Sequence, residues 1–248
     1  PARGSKRKPG RSQFFGAMEN WGAIMYFEQA LLMDPQISSE SDRLNFYDAV
    51  AHEMAHQWFG NLVTMEWWDD LWLNEGYATW MAEKAASTLR SQWNVPLLTV
   101  KWPREFALQS DASDATHPIV QRVASVDAAS QAFDAIAYNK GSAVIRMLEA
   151  SLGETGFRAG IRRYVRRYAY DNTVTDQLWS ELASATNRPV IDIARDFTLQ
   201  PGVPLVKAVA GRCESGRTRV TLTQGRFETG TPSPVALKVE VRTVMTFL

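Results

Sequence analysis

The chain has 248 residues, 45% of them hydrophobic, with 27 basic and 27 acidic side chains and one cysteine, Cys213. That length can bury a sizeable core in one large domain or two small ones, and a net charge of zero points to neither a nucleic-acid nor an anionic-membrane partner. A single cysteine excludes an internal disulfide framework and a Cys-based structural zinc site, and no apolar run reaches the roughly eighteen residues of a membrane span.

Residues 1–12 are rich in Pro, Gly and Ser and carry Arg3, Lys6, Arg7, Lys8 and Arg11, which predicts an unstructured basic tail. Between Trp21 and Met33 the segments AIMYFE and ALLM read as paired strands. A helix is predicted over 39–59. Ser39 and Asp42 resemble a capping box, Tyr47, Val50, Ala51, Met54, Ala55 and Trp58 form an apolar stripe, and Gly60 and Asn61 supply a stop. Seven of the nine tryptophans lie between Trp58 and Trp102, which predicts a bulky core around that helix rather than a sugar-stacking platform.

Further helices are predicted at 73–88, 91–110 (interrupted at Pro96 or Pro103), 138–151, 154–169 and 175–186, with a short one at 189–198. Phe157, Ile161, Tyr164, Val165 and Tyr168 share one face of the helix at 154–169. Arg158, Arg162, Arg163, Arg166 and Arg167 are then expected to form a solvated surface and not a nucleic-acid site. After Pro201 and Gly202, alternation at 204–210, 218–223 and 235–243 predicts strands, so a domain boundary is placed near residue 201. Helices followed by strands make an α+β chain.

Chemistry concentrates in His52-Glu53-Met54-Ala55-His56, followed after eighteen residues by Glu75. Residues four apart on a helix lie on one face, so both imidazoles can reach one ion. Glu53 is turned about 100° from His52, where a carboxylate can act as a base without being a ligand. A catalytic zinc takes three protein ligands and leaves one position open, and His52, His56 and Glu75 supply three. Both histidines must be neutral to bind, so activity is expected to fall on the acid side.

The words GAMEN at 16–20, HEMAH at 52–56 and WFGNLVTMEWWDDLWLNEG at 58–76 resemble the M1 family of zinc aminopeptidases, the gluzincins. The wording is most similar to the puromycin-sensitive and endoplasmic-reticulum branches, and the likeness runs from about residue 14 to 225. The resemblance implies a thermolysin-like, mainly helical zinc peptidase domain over 13–201 with a short N-terminal β segment. The start of a small β-sandwich domain would follow over 202–248. It implies one Zn2+ per chain on His52, His56 and Glu75, with Glu53 as general base. Glu19 would hold the substrate's α-ammonium group, which sets the distance from metal to N-terminus. Gly16 and Ala17, within Gly16, Ala17, Met18, Glu19 and Asn20, would pair with an extended substrate. Met18, Phe15 and Phe133 would line the pocket for the first side chain. Tyr138 would steady the oxyanion, and His117 would be structural.

The implied partners are peptides with a free N-terminus. Family members carry a β domain before GAMEN and a helical domain that closes the cleft, and neither is expected within this stretch. The absence of an apolar signal core and the single cysteine favour the cytoplasm. Two other readings remain: an epoxide hydrolase of the leukotriene A4 hydrolase type, and a catalytically silent zinc-binding fragment.

Overall fold

A computed structural model describes residues 16–34, 36–214 and 217–228. The expected basic tail, Phe15 and the strand expected at 235–243 lie outside the described residues. The chain opens with β1 (Ala17–Met18) paired antiparallel to β2 (Met25–Tyr26). The ALLM segment is not a strand: its first half, Ala30 and Leu31, closes α1 (Glu28–Leu31), and Leu32 and Met33 follow in no regular element. A short apolar run does not distinguish strand from helix by pattern, and here β2 already has its partner in β1.

Helix α2 (Glu40–Ala55) begins on the expected capping box, with the Ser39 amide donating to Asp42 Oδ2 at 2.8 Å and the Asp42 amide to Ser39 Oγ at 3.2 Å. It ends four residues earlier than the sequence suggests, because the chain turns at His56. The Asn61 amide donates to the His56 carbonyl at 2.9 Å, and Gly60 sits at φ +129, a backbone conformation that favours glycine. β3 (Val63–Met65) follows, and then α3 (Trp72–Leu89).

The predicted helix at 91–110 is broken. A single 3-10 turn, α4 (Val95–Thr99), a π turn holding Pro103, and α5 (Glu105–Asp111) share it. Proline has no amide hydrogen to give to the preceding turn, which accounts for the irregular stretch. After α6 (Val126–Ala129), a second π turn at Ile136–Lys140 leads into α7 (Gly141–Leu152). α8 (Glu154–Arg167), β4 (Asp171–Thr173), α9 (Thr175–Thr186) and α10 (Val190–Thr198) complete the helical part. β4 pairs in parallel with β3, Val63 opposite Asp171. β5 (Val203–Glu214) and β6 (Arg217–Phe227) form an antiparallel hairpin, Val203 opposite Phe227. The protein is mainly helical with a few short strands.

The core lies where α3, α7, α8 and α9 meet, around Trp72, Tyr77, Trp80, Phe157, Leu178 and Trp179. The tryptophan cluster only partly serves it. Trp72 and Trp80 are buried, whereas Trp58, Trp67 and Trp102 are exposed. The arginine face of α8 is also more than solvated surface: Arg163 and Arg167 both donate to the buried Glu181, at 3.1 and 2.8 Å.

Candidate metal centre and active site

Helix α2 delivers two imidazoles and α3 one carboxylate to the same point. His52 Nε2 lies 3.1 Å from His56 Nε2 and 3.3 Å from Glu75 Oε2, and His56 Nε2 lies 3.4 Å from that same oxygen. A tetrahedral zinc bonded at about 2.0–2.1 Å requires its donors to stand roughly 3.3 Å apart. The three atoms form one such triangular face, so the donor set fits zinc both in chemistry and in spacing.

The tautomer is set locally. His56 Nδ1 donates to the Phe59 carbonyl at 2.9 Å, so in the neutral ring Nε2 keeps its lone pair for a metal. Gly60 permits this turn, since a Cβ there would stand 3.2 Å from that Nδ1.

The charges state the same demand for a cation. Burial opposes a charge on His56, but the hydrogen bond and charge of Glu75, backed by Glu19, outweigh it and lift its pKa to about 9. Burial also works against ionised Glu75, yet its hydrogen bonds to His52 and His56 hold its pKa at about 2. Both shifts show that positive charge is favoured at the point where a metal ion would bind.

Glu53 and Glu19 stand beside His56. Their carboxylate oxygens and a His56 nitrogen fall within 4.8 Å of one another. Glu53 Oε2 is buried without a hydrogen-bond partner. Burial is the main reason its pKa rises to about 7; Glu19 and Glu75 add to the rise, and the two imidazoles oppose it. The Glu19 carbonyl is anchored by the side-chain amides of Asn61, at 2.7 Å, and Gln57, at 3.5 Å.

Tyr138 sits in the π turn at Ile136–Lys140, the wide turn that often marks a functional position. Its ring stacks on His52, with centroids 5.9 Å apart at 10°. Burial first, then the Glu75, Glu19 and Glu53 carboxylates, push its phenol far above the ordinary value, so it stays a protonated donor.

These groups open on a cavity of about 620 Å³, whose walls include Gly16, Ala17, Met18, Met65, Trp68 and Phe133. Of the residues singled out in the sequence, Asn20 is not brought to it. Asn20 is exposed, and its carbonyl accepts from the Ala23 amide in the turn after β1. His117 stands outside the cavity and bonds to Asp134, which lines it. Sequence reasoning did not identify Asp134, Asn61 or Trp68 as site residues. Asn61 and Trp68 act through contacts with residues distant in sequence, whereas Asp134 caps the turn that follows it and joins it to the distant His117; the cap is a local signal that the sequence reading passed over.

Residues 11–197 match the peptidase family M1 domain. The chain is 43% identical over 214 residues to the leucyl aminopeptidase of Saccharolobus solfataricus, an alignment covering 86% of this chain and 26% of that protein. It is 43% identical over 196 residues to aminopeptidase M1-C of Oryza sativa (77% of this chain, 22% of that protein). It is 39% identical over 212 residues to the mitochondrial aminopeptidase 2 of Saccharomyces cerevisiae (86% and 22%). The chain thus spans about a quarter of the length of these relatives. With three quarters of its residues inside the family domain, this chain belongs to peptidase family M1.

Proposed function

We propose that this chain carries the catalytic centre of a zinc-dependent aminopeptidase that removes the first residue of peptides with a free N-terminus. The observation that carries this reading is the approach of the Glu19 and Glu53 carboxylates within 4.8 Å beside the histidine pair. Two anions that close, next to a metal site, suit a substrate that brings its own cation, the α-ammonium group.

His52, His56 and Glu75 would hold the ion. When bound, zinc supplies Lewis acidity, polarising a carbonyl and lowering the pKa of water to about 7. Glu53 accepts the nucleophile's proton on its unpartnered Oε2 and returns it to the leaving amine. A pKa near 7 suits that exchange, and a nearby cation would move it lower. Tyr138 donates its hydroxyl proton in a hydrogen bond to the oxyanion as charge develops. Glu19 binds the ammonium group and so fixes which carbonyl reaches Glu53. β1 is hydrogen-bonded to β2 on one side only among the described residues; the Gly16 carbonyl just before it accepts from the Phe27 amide on that side, so the backbone of Ala17, steadied by Gly16, offers the other edge to an extended substrate. Met18 and Phe133 supply wall for the first side chain.

The helical part, 13–201, reads as a thermolysin-like catalytic unit. The hairpin within 202–248 reads as the opening of a β-sandwich.

Release of the chromophore from an aminoacyl arylamide tests the proposal. Hydrolysis should stop on chelation, return with zinc, and fall about 10²–10⁴-fold in Glu53→Gln. An N-acetylated substrate should not be cleaved. Equal turnover of the acetylated compound would remove the exopeptidase reading.

A further inference from the structure

His117 has an oxygen acceptor on each side of its ring. Nδ1 stands 2.7 Å from the Pro118 carbonyl oxygen and Nε2 2.6 Å from Asp134 Oδ2. The carbonyl has no proton to give and Asp134, whose pKa is lowered, is a carboxylate, so both ring nitrogens must donate, and only the imidazolium carries two N–H groups. The charged groups facing it are Asp134, which favours the cation, and Lys140, which opposes it. Lys140 is itself paired with Asp111 at 2.8 Å. The hydrogen bond that His117 donates to Asp134 is the main reason the His117 pKa is raised.

Asp134 passes this anchorage on. Its Oδ1 accepts from the Ile136 and Ala137 amides at 2.9 and 3.0 Å, and its main-chain carbonyl accepts from the Tyr138 amide at 3.1 Å. These are the amides at the start of a helical turn, which have no partner within the turn. A π turn is a rare choice for a chain, and here one aspartate holds its opening. Tyr138, on that turn, stacks on His52.

We propose that His117, as an imidazolium, is a positioning residue for Tyr138, acting through Asp134 to fix the turn from which the phenol reaches the metal site. The proposal rests on the reading of Tyr138 as oxyanion donor. His117 touches no substrate. It restrains the Asp134 carboxylate, which would otherwise be free to rotate off the two amides.

A double-mutant cycle on the zinc-loaded protein tests this, with an aminoacyl arylamide as substrate. His117→Gln should lower kcat about tenfold with little change in KM. In a Tyr138→Phe background the same substitution should change kcat less than about twofold. A purely structural role would lower kcat equally in both backgrounds, and that result overturns the proposal. Tyr138→Phe at full activity would overturn it by a different route, through the reading it rests on, and is told apart because that variant leaves His117 intact. The third arm needs no activity. Nitrogen NMR of the unsubstituted protein should show both His117 ring nitrogens protonated at pH 7. A neutral His117 ring there overturns the proposal.

Discussion

Gly76 in α3 and Gly141 at the start of α7 touch backbone to backbone. A Cβ on Gly76 would lie 3.3 Å from the Gly141 Cα and carbonyl carbon, and 3.2 Å from the Ala137 carbonyl oxygen. This contact brings Glu75 and Tyr138, from separate elements, to the same ion site. Alanine in a helix is ordinarily better than glycine by roughly 0.5–1 kcal/mol. Here the new methyl meets main-chain atoms that cannot rotate away. Gly76→Ala is therefore expected to destabilise by about 1–3 kcal/mol, and to lower both zinc affinity and kcat. Urea unfolding with metal titration checks this; a variant more stable than the parent would show that the helices yield easily.

Glu19 is expected to act on the substrate's charge and not on the metal. Glu19→Gln should lower kcat/KM about 10- to 100-fold, the value of a charged hydrogen bond, at unchanged zinc content. Steady-state kinetics with metal analysis on the same sample measures both.

The His117–Asp134 pair gives stability a pH dependence whose sign follows from the two shifts. The Asp134 hydrogen bond raises the His117 pKa, so that part of the stability is complete below about 6.5 and is lost as pH climbs through the folded value. Burial would raise Asp134, but the bond from His117 outweighs it and its pKa is lowered. That part is present above about 3.9 and is lost as pH falls through the folded value. The stability difference between the parent and His117→Gln should be largest between those limits, near pH 5–6, and shrink on either side. Unfolding curves across pH 4–9 measure it, and a pH-independent difference would contradict a charged pair.

Trp179 is fully buried and lies against Trp72 with ring centroids 5.4 Å apart, while its Nε1 has no hydrogen-bond partner. Trp179→Ala should cost about 3–5 kcal/mol. Trp179→Phe keeps an aromatic ring and removes the stranded N–H, so it should cost less than about 2 kcal/mol. Chemical denaturation of the two variants gives the comparison.

The sequence showed some of this directly and some not at all. His52, Glu53 and His56 could be read because helical spacing alone places them, and the Ser39–Asp42 cap because it is local in the chain. Glu75 could be read from its spacing after His56, and Glu19 only through the word around it, since nothing nearby says that β1 approaches the end of α2. The β3–β4 pair joins Val63 to Asp171. Such a distant pairing of three-residue strands leaves no periodic trace. The ALLM segment shows the opposite failure, a pattern too short to choose between helix and strand. Asn61 was invisible for a further reason: what it holds is backbone, which carries no residue identity.

X-ray absorption at the zinc edge tests the central claim most directly. One zinc per chain is expected, bound by two imidazole nitrogens and one carboxylate oxygen at about 2.0–2.2 Å, with the oxygen contribution altered and the ion lost on dialysis in Glu75→Gln. A protein that takes up no zinc, or a spectrum unchanged in Glu75→Gln, would contradict the account.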